Sequence, residues 1–586
     1  MARQWTIRPP YPEAAALAQA LGVSPVVAQV LGQRGYTTAE SARAFLRPDL
    51  SQLHEPAALP GLMDAAERLV AAARDHEPIV IYGDYDVDGI TAASILWQAL
   101  RLADANVRVY VPHRIEEGYG LNLEAVERLA AEGARVLVTV DCGISGLAEA
   151  ARAAELGLDV IITDHHEPDP AGLPVALALV NPKLPGSPYP FRDLAGAGVA
   201  LKLAWAIGQK LSAGQRVSDP FRKFLIAATG LAALGTIADV VPLVGENHVL
   251  ASFGLRALAG STHPGIVALR EAAGLGGAEL DATHVGFALG PRLNAAGRLG
   301  HARDAVELLT TAGPEAALAI ATELDKQNRR RQEVEKRIFE EADAQAAQTF
   351  APDRDAAIVL AAPGWHTGVI GIVASRVVEK YHRPTILIGT SEGLAQGSAR
   401  SIAGFHMFEA LAACRTHLTN FGGHAMAAGV RLKEADVAAF REAFLAHAAR
   451  VLTPDDLTPR LTVDAEARPL EIDLETARLI EGLGPFGAGN PRPVFAARQV
   501  RLASAPKRMG RRGDHLAMHV TEAGRARRAV GWGMGPMADA VTRAGSCGIA
   551  FTCRVSTFHR QPEVELHLKD LWVGSYGDTK AAAEFA

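Results

Sequence analysis

At 586 residues the chain is too long for one hydrophobic core, and roughly three to five domains are expected. Its composition is 49% hydrophobic and 21% charged, with a formal net charge of −6. That is the balance of an ordinary globular protein rather than one coated in nucleic acid, so any polyanion must be held by local basic patches. Met1 is followed by polar, proline-rich sequence, and no run of about 18 uncharged apolar residues occurs, so neither a signal peptide nor a membrane span is expected. Cys142, Cys414, Cys547 and Cys553 lie far apart or at no ligand spacing, which favours reduced thiols in a cytoplasm over disulfides or zinc.

In chain order, residues 1 to about 55 read as a small helical lead-in with a packing role. Pro12–Leu21 and Thr38–Leu46 carry helical spacing, and Thr38 suits an N-cap. From about 60 to 182, strand-like and helix-like segments alternate. The run Ile79-Val-Ile-Tyr-Gly-Asp-Tyr-Asp-Val-Asp-Gly is a short apolar strand leading straight into Asp84, Asp86 and Asp88. Three acids that close repel one another unless a proton or a cation compensates, and Gly89 lets the backbone turn tightly there. A solvated acidic turn would explain a single pair of aspartates. Further strands are expected at Val107–Pro112, ending at His113-Arg114 and Gly118–Asn122; at Arg135–Asp141; and at Asp159–Asp164, ending at Asp164-His165-His166. This alternation implies a mainly parallel, doubly wound sheet, with ligands at the strands' carboxyl ends. Asp84, Asp86, Asp141 and His165 should therefore converge on one rim.

Residues 221–260 are largely helical, and Asp239 is the single acid in an apolar run, where it needs a partner. A cap or core hydrogen bond is the plain explanation, a metal the sharper one. Gly290-Pro-Arg-Leu-Asn-Ala-Ala-Gly-Arg298 offers glycines, Asn294 and two arginines, Arg292 and Arg298, suited to phosphate contact. Residues 314–347 form a long helix whose run Lys326–Arg331 is most simply its solvated face. A second α/β region spans about 354–450, with strands expected at 358–361, 384–389 and 395–400 and a glycine-rich turn, Phe421–Gly429, presenting His424. From about 460 to 572 short β-rich segments suit an OB-like barrel. Its basic cluster Lys507-Arg508-Met-Gly-Arg511-Arg512 sits on a hairpin, with Trp532 and Phe551 as stacking candidates that can equally be core.

Taken in this order, Asp84-Tyr-Asp86, Asp141, Asp164-His165-His166 and Asp239 resemble the DHH phosphoesterase superfamily, and Gly422-Gly-His424 resembles its companion DHHA1 domain. Tyr82–Gly89, Arg114 with Gly118–Asn122, Gly290–Arg298 and the OB-like part are together similar to the RecJ family of single-strand-specific 5′→3′ exonucleases. The resemblance implies an α/β chain divided as follows: a helical segment 1–55, a DHH catalytic domain 56–313, a connecting helix 314–350, a DHHA1 domain 351–455, an OB-fold nucleic-acid-binding domain 456–575 and a tail 576–586. It implies two divalent ions, Mn²⁺ or Mg²⁺, with Asp141 bridging, Asp84 on the first and Asp86, His165 and Asp239 on the second. Small DHH enzymes carry a histidine where this chain has Val80, which leaves the first ion one protein ligand fewer.

His166 would face the scissile phosphate, Asp164 would orient the histidines, and Arg114, Arg298 and His424 would neutralise developing charge. Ser375 and Arg376, expected at the start of a helix, would hold a 5′-phosphate, while Arg292, Asn294, Lys507, Arg508, Arg511 and Arg512 would contact the strand. The substrate implied is single-stranded DNA with a 5′-phosphate, degraded to 5′-mononucleotides in repair and recombination. The implied setting is a cytoplasmic monomer, off the membrane, working beside a helicase and a single-strand-binding protein. Three alternatives remain in view. An oligoribonuclease or cyclic-dinucleotide phosphodiesterase usually lacks the OB-like part. A catalytically dead DNA-binding scaffold would have lost metal ligands that this chain keeps. A dinucleotide oxidoreductase would need a Gly-x-Gly-x-x-Gly after the first strand, and none is there.

Overall fold

The computed structural model describes residues 3–114, 117–118, 120–212, 216–556 and 561–574. Tyr119 and the expected tail 576–586 lie outside the described residues. The chain divides into two compact units. One comprises His54–Val241 and Phe253–Pro459; the other is assembled from Met1–Leu53, Pro242–Ser252 and Arg460–Ala586. The first strand, β1 (Gln4–Ile7), belongs to the assembled unit.

The first unit, continuous except where residues 242–252 leave it, carries five strands in its N-terminal part: β2 (Ile79–Gly83), β3 (Val107–Tyr110), β4 (Val136–Val140), β5 (Asp159–Thr163) and β6 (Ala178–Val180). They form one sheet in the order β3-β2-β4-β5-β6, with every pair parallel. All five residues of β2 and of β4 are buried, which is why these strands read as continuous apolar runs rather than alternating ones. Val80, at the position where small DHH enzymes carry a histidine, packs in this core. Helix α1 (Val87–Leu102) follows β2 directly, and α2 (Gly196–Leu211) and α3 (Asp219–Ala238) pack against it. Among the described helices only α3 is by itself long and apolar enough to cross a bilayer, and 61% of its apolar window is buried inside the fold.

The Gly290–Arg298 motif, expected as a phosphate-contacting segment, folds as helix α4 (Gly290–Leu299), entered through a single π-helical turn at Val285–Leu289. Helix α5 (Pro314–Thr349) runs for 36 residues. Its 326–331 stretch is not all solvated face: Asn328 and Arg331 are buried, on the same stripe as Leu324 and Ile338, at the three- and four-residue spacing of one helix side. The second sheet contains β7 (Ile358–Pro363), β8 (Thr385–Ser391), β9 (Leu394–Arg400), β10 (Asn420–Gly423) and β11 (Ala427–Lys433), in the order β10-β11-β9-β8-β7. Only β7 and β8 pair in parallel, joined through α6 (Thr367–Tyr381). The glycine-rich turn is the end of the β10–β11 hairpin, with His424 just past β10.

In the assembled unit, β1 pairs in parallel with β12 (Arg460–Val463), Gln4 standing opposite Arg460. The segment 1–55 is therefore not wholly helical. Nor is it a separate lead-in, because Leu17, Val27, Leu31 and Phe45 share one core with Ile480, Phe495 and Phe551. Thr38 caps its helix as expected, accepting from the Ser41 amide at 3.1 Å. The internal segment joins this unit through His248, whose ring stacks on Phe45 at 4.3 Å and bonds the Phe45 carbonyl at 3.1 Å. The remaining strands are β13 (Ala465–Glu466), β14 (Phe495–Leu502), β15 (Lys507–Met509), β16 (His515–Glu522), β17 (Arg525–Gly531), β18 (Ser546–Ser556) and β19 (Glu563–Val573). They run in the order β13-β14-β18-β19-β17-β16-β15, and a further β14–β16 pairing closes five of them into a ring.

Candidate active site

Each acid reaches the rim on a different element. Asp84 is the first residue after β2, and Asp86 caps α1, its Oδ1 accepting from the Asp88 amide at 2.9 Å and the Gly89 amide at 3.1 Å. A Cβ on Gly89 would lie 2.6 Å from the Asp84 carbonyl oxygen, so only glycine allows strand and helix to meet this tightly. Asp141 follows β4 with φ of 63°, a left-handed conformation that costs a non-glycine residue about 1–3 kcal/mol and is typical of functional sites. Gly196, at the start of α2, lets that helix approach: a Cβ there would lie 2.7 Å from the Asp141 side chain. His165 comes from the end of β5, and Asp239 from the end of α3.

These groups converge. His165 Nε2 lies 3.1 Å from Asp141 Oδ1, 3.6 Å from Asp239 Oδ2 and 3.7 Å from Asp88 Oδ2. Three sets could each hold a cation with ligand atoms within 4.8 Å: Asp84, Asp86 and Asp141; Asp88, His165 and Asp239; and Asp141, His165 and His166. Asp141 belongs to two of them. Asp86 groups with Asp84 and Asp141 and also lies near enough to Asp239 to raise its carboxyl, while Asp88, not expected as a ligand, groups with His165 and Asp239. Asp88 is also fixed from outside, its carboxylate accepting from the Gly196 and Ala197 amides at 2.6 and 2.9 Å.

The electrostatics call for a cation. Burial, and then mutual repulsion, push the Asp84, Asp88 and Asp141 carboxyls well above the ordinary range, and burial with Asp86 nearby pushes Asp239 up to about 7. Burial and His166 push His165 down to about 3, against the pull of Asp164 and the Leu194 backbone, so its ring is neutral and ligand-competent. Asp84 Oδ1, Asp141 Oδ1 and both ring nitrogens of His165 are buried without a well-formed hydrogen bond. Buried polar atoms are normally paired. Carboxylate oxygens with one imidazole suit a hard divalent ion such as Mn²⁺ or Mg²⁺, so the donor set fits.

Asp164 supports this centre without facing it. Its Oδ1 meets His166 Nδ1 at 2.7 Å and accepts from the amides of His165 (2.7 Å) and His166 (3.0 Å), while Oδ2 takes the Ile144 amide at 2.9 Å. Burial opposes its charge, but His166 and these amides hold the carboxyl below its usual value; in return His166 is raised to about 9. Asn181, just past β6 and fully buried, donates to the His166 carbonyl at 2.9 Å. A short polar residue after a short edge strand carried no distinguishing signal in the sequence.

Arginines supply the complementary charge. Arg298 is held by a 2.7 Å bond to the Gly368 carbonyl, and burial together with Arg114, Arg331 and Arg400 pushes its guanidinium down to about 10. Arg114 lies over the Tyr85 ring at 4.8 Å. Arg400 donates to Ser398 Oγ at 3.0 Å and the Ala399 carbonyl at 2.8 Å, and Arg331 pairs with Glu335 at 3.0 Å. Crowded, partly desolvated guanidinium groups, with Glu335 the carboxylate that pairs with one of them, have the chemistry to hold an anion.

Several expected contacts lie elsewhere. Ser375 and Arg376 are not at a helix start but well inside α6. Ser375 bonds back to the Gly371 carbonyl, while Arg376 pairs with Glu335 at 3.1 Å and covers the Phe339 ring at 4.1 Å. Arg292 is neutralised by Asp325 at 2.9 Å, and Asn294 accepts the Val87 amide at 3.2 Å, bracing the Asp84–Asp88 turn. Ser398 and Arg400 were missed. Their signal is the alternation along β9, where Ala395, Gly397 and Ala399 are buried and the residues between them are not.

His424 does reach the site, lining with His166 a cavity of about 310 Å³. In the assembled unit Lys507, Arg508, Arg511 and Arg512 are exposed at β15 and the turn after it, with Arg508 paired to Asp539 at 2.8 Å. Trp532 is 60% exposed, whereas Phe551 is buried against Phe495 and is core.

An acidic, His-bearing rim on a parallel sheet, set with arginines from the loop after β3, from α4 and α5 and from β9 of the second sheet, defines a metal-dependent phosphoesterase of the DHH class. Residues 78–231 match the DHH family N-terminal domain, 355–450 the DHHA1 domain and 463–570 the RecJ OB domain. The chain belongs to the RecJ family. It is 38% identical to the single-stranded-DNA-specific exonuclease RecJ of Bacillus subtilis over 98% of this chain and 71% of that one. The crystal structure of RecJ from Thermus thermophilus in complex with Mn²⁺ superposes with a TM-score of 0.82 at 33% identity, covering 97% of this chain and 79% of the other. The same protein in complex with Mg²⁺ gives 0.76 at 30% identity, covering 97% and 78%.

Proposed function

We propose that this chain is a metal-dependent exonuclease that degrades single-stranded DNA from the 5′ end to 5′-mononucleotides, in repair and recombination. The observation that carries the reading is the pairing of two opposite sites in one unit. One is a buried acidic centre whose oxygens and imidazole nitrogens lack well-formed hydrogen bonds; the other is a set of crowded arginines. A phosphodiester chain needs both. Asp84, Asp86 and Asp141 would hold one divalent ion, Mn²⁺ or Mg²⁺, and Asp88, His165 and Asp239 the other. When bound, such a pair lowers the pKa of a water and clamps the attacking and leaving oxygens of the phosphodiester.

The protein's own groups do the rest. Asp164 fixes the His166 ring, and at about 9 that ring is charged at neutral pH and suited to donate to a phosphate oxygen. Arg298, anchored by Gly368, opposes charge that develops on the phosphate without having to reorganise. Arg114 and Arg400, with Ser398, suit the terminal 5′-phosphate better than Ser375 and Arg376, which are engaged within the fold. Lys507, Arg508, Arg511, Arg512 and Trp532 suit the strand further along. Four buried free cysteines fit a reducing cytoplasm, where we place the enzyme as a monomer beside a helicase and a single-strand-binding protein.

End-labelled single-stranded and duplex DNA, incubated with Mn²⁺ or with EDTA, tests the reading with wild type beside Asp141→Ala. Mononucleotides released from the 5′ end of single strands only, and lost with EDTA or Asp141→Ala, are expected. No digestion by wild type with Mn²⁺ would favour the scaffold reading, and digestion of very short RNA alone would favour the oligoribonuclease.

A further inference from the structure

We propose that the cavity beside His166 and His424 is a nucleoside subsite in which Glu149 favours nucleobases bearing an exocyclic amine. This deepens the exonuclease reading and rests on it. The cavity, about 310 Å³, shares His166 with the reaction centre and is also lined by Gly143, Ile144, Gly146 and Glu149. Its charge is the reverse of the phosphate site. Neither Arg114, Arg298, Arg331 nor Arg400 lines it, and the acids that do, besides the Asp164 already held by His166, are Glu149 and Glu167.

Beyond the contact with His166, a phosphate would be repelled by Glu149 and Glu167, so the part of a nucleotide that suits the rest of the cavity is its uncharged sugar and base. The volume is at the lower end of small-molecule sites, about 300–1,000 Å³, and suits a single nucleoside. The walls suit a flat ring, because Gly120, Gly143 and Gly146 project no side chains and Leu121 and Ile144 are apolar.

Glu149 supplies the selective group. Glu167 is 3.6 Å from Lys183, whereas the Glu149 carboxylate makes no hydrogen bond or ion pair among the described residues. Its Oε2 lies 3.5 Å from where a Cβ on Gly146 would stand, so it borders the glycine-walled slot. An ionised carboxylate only accepts hydrogen bonds. Cytosine, adenine and guanine can donate to it from an amino group; thymine would set a carbonyl in the same position and be repelled. A glutamate in the first turn of the helix Leu147–Glu155 also suits that helix's positive end. That role alone gives no preference among bases.

The test uses the full chain with Mn²⁺, 5′-phosphorylated dC, dA and dT homopolymers as substrates, and dCMP and dTMP as competing products. Wild type is expected to bind dCMP about ten-fold more tightly than dTMP, the worth of one charge-assisted hydrogen bond. KM should be correspondingly lower on dC and dA strands than on dT. Glu149→Gln, whose amide can donate as well as accept, should collapse the ratio. Equal inhibition by dCMP and dTMP in wild type, or a ratio that survives Glu149→Gln, overturns the proposal. The wild-type ratio needs no variant, so it decides the matter even if substitution at 149 unfolds the protein. Failure of wild type to digest any strand is a different result and strikes the exonuclease reading itself.

Discussion

The two units both gather positive charge, and they do so in opposite ways. In the continuous unit Arg298 and Arg400 are largely desolvated and locked by backbone carbonyls and a serine, and burial, then Arg114 beside both of them, lowers their basicity. In the assembled unit Lys507, Arg508, Arg511 and Arg512 extend from an edge strand and its turn into water. Desolvated, preorganised charge recognises one phosphate at one place and acts when charge develops there. Exposed charge gives affinity that depends on salt and on the length of the strand, not on its position.

Substitutions can break this contrast. Arg298→Ala is expected to lower kcat by about 10²–10³-fold, with Arg298→Lys recovering little because a lysine cannot keep the Gly368 bond while presenting a planar fork. Single-turnover rates on a short 5′-phosphorylated strand read this directly; a change confined to KM would equate the two kinds of arginine. Replacing Lys507, Arg508, Arg511 and Arg512 together by alanine should raise KM on long strands, on the order of ten-fold at low salt, and flatten the salt dependence by about 0.7 per lost contact. A fall in kcat on short strands would contradict the assignment. Trp532→Ala should weaken binding of long strands by roughly five-fold, the lower end of one base stacked on an aromatic ring.

The buried acids make a subtler prediction. Asp239 is raised from an ordinary 3.8 to about 7, first by burial and then by Asp86. Between those values the folded, metal-free protein keeps a proton that the unfolded chain releases. This contribution to stability is full below the lower value and is lost as the pH rises through the upper one. The Tm of EDTA-treated protein should therefore fall from pH 5 to pH 8, and Asp239→Asn should flatten the fall. Mn²⁺ should raise Tm more at pH 8, because its ligands must be deprotonated. Thermal scans with and without EDTA check both.

Much of this was legible in the sequence because the signals were local. Strand ends mark the acids, so Asp84, Asp86, Asp141 and His165 could be placed on one rim from the alternation of elements alone. What escaped depends on three-dimensional accounts of charge. Asp88 is adjacent to the expected ligands, yet its second role, closing the start of α2 through Gly196 and Ala197, joins residues more than a hundred positions apart. Arg376 and Arg400 look alike in sequence; one is spent on Glu335 and a phenyl ring, the other stands in the arginine cluster. The basic run at 326–331 reads as solvated, and its Arg331 is buried because Asn328 and Glu335 satisfy it.

The pairing of β1 with β12 has a consequence for how the protein is made. A ribosome releases Gln4–Ile7 hundreds of residues before Arg460–Val463, the strand it needs, and the helices at 14–46 wait still longer for the core around Phe551. The continuous unit has most of its partners close by and can mature first, whereas the assembled one is limited by loop closure across nearly the whole chain. Until then the apolar sides of those early helices stay bare, as they also would in any version shortened at its carboxyl end, and both are open to aggregation.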